Sequence, residues 1–172
     1  TPMHGLDTAN MSVAPPFAEA ARRILRIPTM RVALAAQTLN FFVLGAAVLW
    51  FPTLLQRRYA ISESEAGLIS GGLLVGAGII GTLGGGWLAD RLMPRIPSAR
   101  LLVTGLAFIA SALLLVLSLG APSLALCAPI FFLGGICLQA YNGPMSALMQ
   151  DVVAPELRAV AVAISLIVAH VL

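Results

Sequence analysis

Charge is scarce in this sequence, and lysine is missing altogether. Only 10% of the 172 residues are charged, and all 10 basic residues are arginine. A soluble domain carries about 25% charged residues, so this composition excludes an ordinary soluble protein. The diffuse lysine-rich surface of a nucleic-acid-binding protein is excluded with it, and no nucleic-acid partner is expected.

Cysteine and catalytic motifs are also scarce. Cys127 and Cys137 are the 2 cysteines of the chain. They lie on one predicted helix, about 15 Å apart along its axis, which is too far for a disulfide. We therefore predict buried free thiols. The sequence contains no nucleotide-binding glycine loop, metal-ligand cluster or catalytic triad, so we expect no enzyme activity, no cofactor and no metal site.

Long apolar runs are what the sequence does contain. Hydrophobic residues make up 59% of the chain, and five spans carry no internal charge: residues 32–55, 66–89, 101–119, 123–150 and 159–172. The second span would be a helix about 36 Å long, which exceeds the roughly 30 Å hydrocarbon core of a bilayer. These runs predict an all-α membrane protein. The fifth span, about 21 Å long, is too short to cross, so we expect a piece of a longer protein.

Local signals predict how these helices begin and bend. Ser62 and Glu65 form a capping-box pattern just before the second span. Pro144 removes a hydrogen bond to the carbonyl of Ala140, so we expect the fourth span to kink beside Asn142. Residues 1–28 are predicted to precede the membrane part, residues 29–172. Their second half has an apolar and an arginine-bearing face, which is typical of a helix at the membrane surface.

Arginine is distributed unequally between the two ends of the predicted spans. Eight arginines lie at one end (Arg22, Arg23, Arg26, Arg31, Arg91, Arg95, Arg100 and Arg158), and Arg57 and Arg58 lie at the other. Positive residues favour the cytoplasmic side of a membrane. The asymmetry therefore predicts that the N-terminus and the loop after Asp90 are cytoplasmic.

A few polar side chains interrupt the apolar spans. Gln37, Asn40 and Phe41 share a face of the first span, Gln139, Asn142 and Ser146 share a face of the fourth, and His170 lies in the fifth. The four amides lie at similar depths, about 8 to 17 Å from the predicted cytoplasmic ends. Two interpretations stay open. They line a common substrate cavity, or they form hydrogen bonds that hold neighbouring helices together.

The end of the second span carries a motif. Gly86, Leu88, Ala89, Asp90 and Arg91 match the Gly-x-Leu-Ala-Asp-Arg loop of major facilitator transporters. Residues 48–57, 62–67, 142–144 and 150–159 and His170 extend the match, and together they resemble the spinster-like branch of that superfamily. Pro94 departs from the glycine that the loop often has. The resemblance implies a fold of twelve helices in two halves, of which this chain holds the linker and helices seven to eleven.

The resemblance also implies a function. It implies a secondary transporter that works by alternating access, with a lysolipid-like or sphingoid amphiphile as substrate. A facilitator for small organic acids or drugs and a membrane sensor that does not translocate are the alternatives. Expected partners are the small-molecule or lipid substrate and membrane lipids, and proton coupling would run through the other half. The expected location is the bacterial inner membrane.

Two further expectations concern helix ends and faces. Asp90 lies at the negative end of its helix dipole, so it calls for a partner. The loop motif suggests a conformational latch formed by Gly86, Asp90, Arg91, Arg95 and Arg158, with Asp151 as an acceptor for Arg91 and Arg95. In the second span, Gly72, Gly76, Gly81 and Gly85 lie on one face and predict close helix packing.

Overall fold

The computed structural model describes residues 16–96 and 98–171, with side chains as far as residue 168. These residues form seven α-helices: α1 (Phe17–Leu25), α2 (Pro28–Tyr59), α3 (Glu63–Leu92), α4 (Ala99–Gly120), α5 (Leu124–Gln139), α6 (Asn142–Asp151) and α7 (Arg158–Val171). A 3-10 turn, Pro155–Leu157, leads into α7. Residues 1–15 of the predicted segment 1–28 lie outside the described residues.

Four stretches are long and apolar enough to cross a membrane. They are α2, α3, α4 and the combined stretch Leu124–Asp151, which contains α5 and α6. Helices α2 and α3 are longer than the charge-free spans that they contain. A charge-free span stops short of a charged residue, whereas the helix continues through it, as at Arg57 in the last turn of α2 and Glu63 in the first turn of α3. The prediction of an all-α membrane fold is confirmed.

The start of α3 has the predicted capping box. The Ser62 hydroxyl accepts a hydrogen bond from the Glu65 backbone N–H at 3.3 Å. The Glu65 carboxylate in turn accepts from the Ser62 backbone N–H at 3.0 Å. Because the first N–H groups of a helix have no partner within it, these bonds fix where α3 begins.

The fourth apolar span kinks where the sequence predicts. α5 ends at Gln139 and α6 begins at Asn142, so Ala140 and Tyr141 form the bend. Pro144 has no N–H to donate to the carbonyl of Ala140, and this missing hydrogen bond lets the helix bend there. Backbone pairing resumes one residue later, where Met145 donates to the Tyr141 carbonyl at 2.9 Å.

The close contact between α3 and the bend depends on two glycines. A side chain at Gly85 would overlap the carbonyl of Ala140, and one at Gly81 would overlap the carbonyl of Ile136. The unpaired Ala140 carbonyl therefore packs against the Cα of Gly85, where weak Cα–H···O contacts are typical of close helices. The predicted glycine face is correct for this half of α3. It is wrong at Gly72, where a Cβ would have no neighbour within 4 Å.

Two apolar clusters hold the bundle at its two ends. At the end that contains Arg100, hereafter the Arg100 end, buried residues from α1, α2, α6 and α7 pack together, among them Ile24, Met30, Met149 and Ile164. At the opposite end, hereafter the Tyr59 end, the rings of Phe51 and Phe131 stack at 3.5 Å. Buried Cys127 belongs to the second cluster, whereas Cys137 is only partly buried.

The Tyr59 end is fastened by hydrogen bonds to the backbone. The Tyr59 hydroxyl donates to the carbonyl of Ala121 at 2.9 Å, and Arg58 donates to the carbonyls of Leu119 and Gly120. The last carbonyls of a helix have no partner within it. Two side chains of α2 thus satisfy the end of α4 and hold the turn between α4 and α5.

Helix α1 packs against protein as well as facing outward. Its residues Ala20 and Ile24 are fully buried, and Ile24 joins the cluster at the Arg100 end, while Phe17 and Leu25 stay exposed. Arg23 pairs with Glu19 at 2.5 Å on the polar face. Ile24, on the apolar face of α1, thus packs against residues of α2 and α7, and the position of α1 at the membrane surface stays a prediction.

Helix α4 presents an apolar face to its surroundings. Leu106, Leu113 and Leu117 on that face are exposed, whereas its hydroxyl residues point into the protein. Thr104 and Ser118 donate to carbonyls of their own helix, at 2.8 and 2.7 Å. Ser111 is buried without a hydrogen-bond partner among the described residues.

The glycine contact yields a stability prediction. Gly85→Ala should destabilise the full-length protein by about 1 to 3 kcal/mol, because the new Cβ overlaps a backbone oxygen that cannot move easily. Gly84→Ala is the matched control, since a Cβ at Gly84 meets nothing within 4 Å. Thermal unfolding in detergent measures both variants. Equal stability of the two would refute the proposed backbone contact.

Candidate functional site

A polar cavity of about 260 Å³ lies between α2, α6 and α7. Its lining includes the amides of Gln37, Asn142 and Gln150 and the hydroxyls of Ser146 and Ser165. Apolar residues form the remaining wall: Phe41, Tyr141, Met145, Met149, Ala161, Val162 and Leu166. The cavity therefore offers hydrogen-bonding groups beside an apolar surface, an arrangement that suits a ligand with a polar head and an apolar body.

Gln37 connects two walls of this cavity. Its Nε2 donates to the backbone carbonyl of Ser165 at 3.1 Å, and its side chain is 9% exposed. The Ser165 hydroxyl bonds back to the carbonyl of Val162 at 2.9 Å. Gln37 thus links α2 to α7 by a hydrogen bond and also lines the cavity, and a role in substrate binding stays a prediction.

Asn142 reaches the cavity because of the bend. It is the first residue of α6, directly after the break at Ala140 and Tyr141. Its Nδ2 lies 3.5 Å from the hydroxyl of Thr82 on α3, a long hydrogen bond that leaves the amide oxygen available. Gln37, Phe41 and Asn142 are the predicted site residues that the structure brings together.

Asn40 lies elsewhere. Its side chain is 2% exposed, and its Oδ1 has no hydrogen-bond partner in the described structure. It lines a separate apolar cavity of about 290 Å³ between α2, α4 and α5. Asn40 and Gln37 therefore line different cavities, because one helix face spans enough angle to face two different neighbours, and a role of Asn40 in substrate binding stays a prediction.

Gln139 also points away from the polar cavity. Its Nε2 would lie 3.6 Å from a Cβ at Gly78, and its Cβ faces Gly81, so the side chain packs on α3. The bend between α5 and α6 separates Gln139 from Asn142 and explains this difference. The side chain of His170, the other predicted cavity residue, lies outside the described residues.

Several cavity residues were not predicted. Ser165, Gln150 and the two methionines Met145 and Met149 line the space together with the predicted amides. Ser165 carries a recognisable signal, because it is a polar residue in an otherwise apolar run of α7. The methionines carry none, since flexible apolar side chains in a membrane helix usually indicate ordinary packing.

A cluster of ionic residues lies at the Arg100 end of the bundle. Arg100 donates through Nη1 to the carboxylate of Asp151, and its Nη2 lies 3.7 Å from the carboxylate of Asp90. The Arg100 side chain is 16% exposed, while both acids are mostly exposed. One arginine at the start of α4 therefore joins the ends of α3 and α6.

The predicted partners of Asp90 and Asp151 are corrected by this cluster. Asp90 pairs with Arg100 rather than with Arg158, whose Nε donates to the carbonyl of Gln150 at 3.2 Å. Asp151 also pairs with Arg100, rather than with Arg91 or Arg95. The physical reason is the short connection between α3 and α4, which brings the first turn of α4 between the two acids.

The other members of the predicted latch have separate contacts. The guanidinium of Arg91 lies 5.4 Å from the ring centre of Trp87, within cation–π range. Gly86 packs against the backbone of Gly143, since a Cβ at Gly143 would lie 2.9 Å from the Gly86 Cα. Arg95 has no ion-pair partner in the part of the chain that the structure describes.

Apolar helices of membrane-crossing length, a broken fourth span and a polar cavity between helices define a polytopic α-helical membrane protein. Comparison with known proteins specifies the family. The sequence model of the Major Facilitator Superfamily matches residues 3–171. The chain belongs to the Major Facilitator Superfamily, and it is similar to proteins of the spinster-like branch.

Curated relatives carry the spinster name. The chain is 31% identical over 130 residues to probable sphingolipid transporter spinster homolog 3 of Arabidopsis thaliana, covering 76% of this chain and 25% of that protein. It is 32% identical over 164 residues to spinster homolog 1 of Xenopus laevis, covering 88% of this chain and 31% of the relative. The chain therefore spans about a quarter to a third of the length of these relatives.

Solved structures agree in fold. A bacterial homolog of the human lysosomal transporter Spinster, inward-facing and unoccupied, superimposes with a TM-score of 0.69 at 27% identity, covering 98% of this chain and 34% of that one. The inward-facing and occupied form gives a TM-score of 0.63 at 27% identity over 83% of this chain and 30% of that one.

The ionic cluster yields a prediction about coupling. In double-mutant cycles, Arg100→Gln with Asp151→Asn should show about 1 kcal/mol of coupling in unfolding free energy. Arg100→Gln with Asp90→Asn should show less than about half of that, because the contact is longer and exposed to solvent. Chemical or thermal unfolding of the full-length protein gives both values. Stronger coupling to Asp90 than to Asp151 would contradict the observed geometry.

Proposed function

We propose that this chain is part of the C-terminal half of a secondary transporter that moves an amphiphilic molecule by alternating access. The polar cavity carries this proposal. It lies between three helices, and one of them, α6, begins directly after the proline bend in the fourth span. In transporters of this general design, substrates bind where interrupted helices meet near the middle of the membrane. The other half would complete the site.

The chemistry of the cavity supports an amphiphile as substrate. Amides and hydroxyls can bond a polar head, and the side chains of Met145, Met149 and Leu166 offer a deformable apolar wall to an alkyl chain. The relatives described as probable sphingolipid transporters support a sphingoid or lysolipid-like molecule. Proton coupling, if present, would use residues of the other half.

We further propose that the Arg100 end faces the cytoplasm of a bacterial cell. The eight-to-two distribution of arginine supports this orientation. The polar cavity lies toward the same end, because Gln150 and Ala161 on its rim are close in sequence to Asp151 and Arg158. Asp90 and Arg100 form an ion pair at this end of the bundle. If the pair forms in only one conformation of the transporter, it stabilises that conformation relative to the other, and Asp90 would act as a latch in this way.

The cavity predicts which amide affects transport. In proteoliposomes of the full-length protein, Asn142→Ala should raise the half-saturating concentration of fluorescent sphingosine about five- to tenfold, the effect of one lost hydrogen bond. Gln139→Ala is the matched control, since this amide is close in sequence but packs on α3. Its half-saturating concentration should stay within twofold of wild type.

The same assay separates the alternatives. Binding of sphingosine without uptake, with or without a pH gradient, would indicate a sensor. Uptake of small organic acids instead of sphingosine would indicate the other class of facilitator. An equal effect of Gln139→Ala and Asn142→Ala on half-saturation would contradict the proposed cavity, because it would trace the loss to general packing.

The orientation predicts thiol accessibility. In a cysteine-free full-length protein, Arg95→Cys should resist a membrane-impermeant maleimide in whole cells and react after the cells are opened. Arg57→Cys should react in whole cells, and Arg57 is preferred to Arg58 because Arg58 holds the end of α4. Labelling of Arg95→Cys in intact cells would reverse the proposed orientation.

A further inference from the structure

A second cavity, of about 430 Å³, lies outside the proposed transport site. It is a groove between α3, α4 and α5 with an almost entirely apolar lining, including Ile80, Gly84, Leu92, Leu102, Leu106 and Cys137. Ile80, Leu102 and Leu106 are exposed, so the groove opens sideways to whatever surrounds the bundle. In the membrane, the part of this opening that no other helix of the full-length protein covers meets lipid.

The length of the groove matches one leaflet of a bilayer. Its lining on α3 runs from Ile80 to Leu92, which is about 18 Å along the helix. Half of a hydrocarbon core is about 15 Å. A transmembrane helix, about 10 Å wide, would not fit a space of this volume and would continue past its end. One acyl chain fits both dimensions.

Two residues near the end of the groove indicate that it reaches the depth of the lipid headgroups. Trp87 is 63% exposed and carries the guanidinium of Arg91 over its ring, one turn before Leu92. Exposed tryptophan is enriched at the boundary between hydrocarbon and headgroups. The groove therefore runs about 8 Å past Trp87 along α3, from the hydrocarbon into the headgroup level.

The charge at this end is complementary to a phosphate. Arg95 follows Leu92 in the turn, where its backbone N–H donates to the Leu92 carbonyl at 3.0 Å. Arg95 is exposed and has no ion-pair partner in the described structure, whereas Asp90 is matched with Arg100. A phosphate at the mouth of the groove would find an available guanidinium there, with Arg91 beside it.

We propose that this groove binds one anionic phospholipid from the leaflet at the Arg100 end. Its acyl chain lies along Gly84 between α3 and α4, and its phosphate is held by Arg95 and Arg91. The lipid is a bound partner of the protein rather than its transported substrate, because the groove lies on α3, α4 and α5 and the polar cavity on α2, α6 and α7.

Lipid retention tests this proposal. The purified full-length protein, stripped of lipid in detergent, is incubated with an equimolar mixture of phosphatidylglycerol and phosphatidylcholine with identical acyl chains. Lipid that remains after gel filtration is measured by mass spectrometry. We expect about fivefold more phosphatidylglycerol than phosphatidylcholine on the wild-type protein.

Two variants test the acyl-chain contact and the phosphate contact of the lipid separately, and each variant has a matched control. Gly84→Leu should lower the retention of phosphatidylglycerol at least threefold by filling the groove, and Gly72→Leu, equally unobstructed but outside the groove, should not. Arg95→Gln should bring the ratio of the two lipids close to one, while Arg57→Gln at the opposite end should leave it unchanged. Wild-type retention by Gly84→Leu, or an unchanged ratio in Arg95→Gln, would overturn the proposal.

Discussion

The remaining structure depends on one contact between two backbones. Gly81 and Gly85 of α3 make this contact with the last turn of α5 and the residue that follows it. It places α3 so close to the bend that the unpaired carbonyl of Ala140 meets a Cα instead of water. Within a membrane, a bend in a helix is tolerated only where the freed backbone groups find such neighbours. The bend in turn directs Asn142 toward the polar cavity and Gln139 away from it.

Sequence patterns predicted those features that depend on a single helix. The capping box at Ser62 and the bend near Pro144 were both predicted, since each needs only nearby residues. The membrane-crossing lengths follow from the same local information. Helix termini were less accurate because charged residues such as Arg57 continue a helix beyond its apolar part.

The sequence did not predict in the same way which neighbouring helix each side chain faces, because this depends on how several helices pack together. Gln37 and Asn40 are three residues apart and differ by about 60° around α2, which is enough to face different neighbours. The depth of Gln139 was compatible with the cavity, but the bend changed its direction. Arg100 was a plausible partner for Asp90 by charge alone, and only the packing of α3, α4 and α6 selected it over Arg158.

The two ends of the bundle are held by different kinds of interaction. The Tyr59 end uses stacked rings and hydrogen bonds to backbone carbonyls, in which one partner is always uncharged. The Arg100 end uses ion pairs between exposed acids and one arginine. Dissolved salt screens exposed charges over about 8 Å at physiological ionic strength and hardly affects stacked rings. Added salt should therefore weaken the links between α3, α4 and α6 at the Arg100 end more than the contacts at the Tyr59 end, while the apolar cluster at the Arg100 end stays intact.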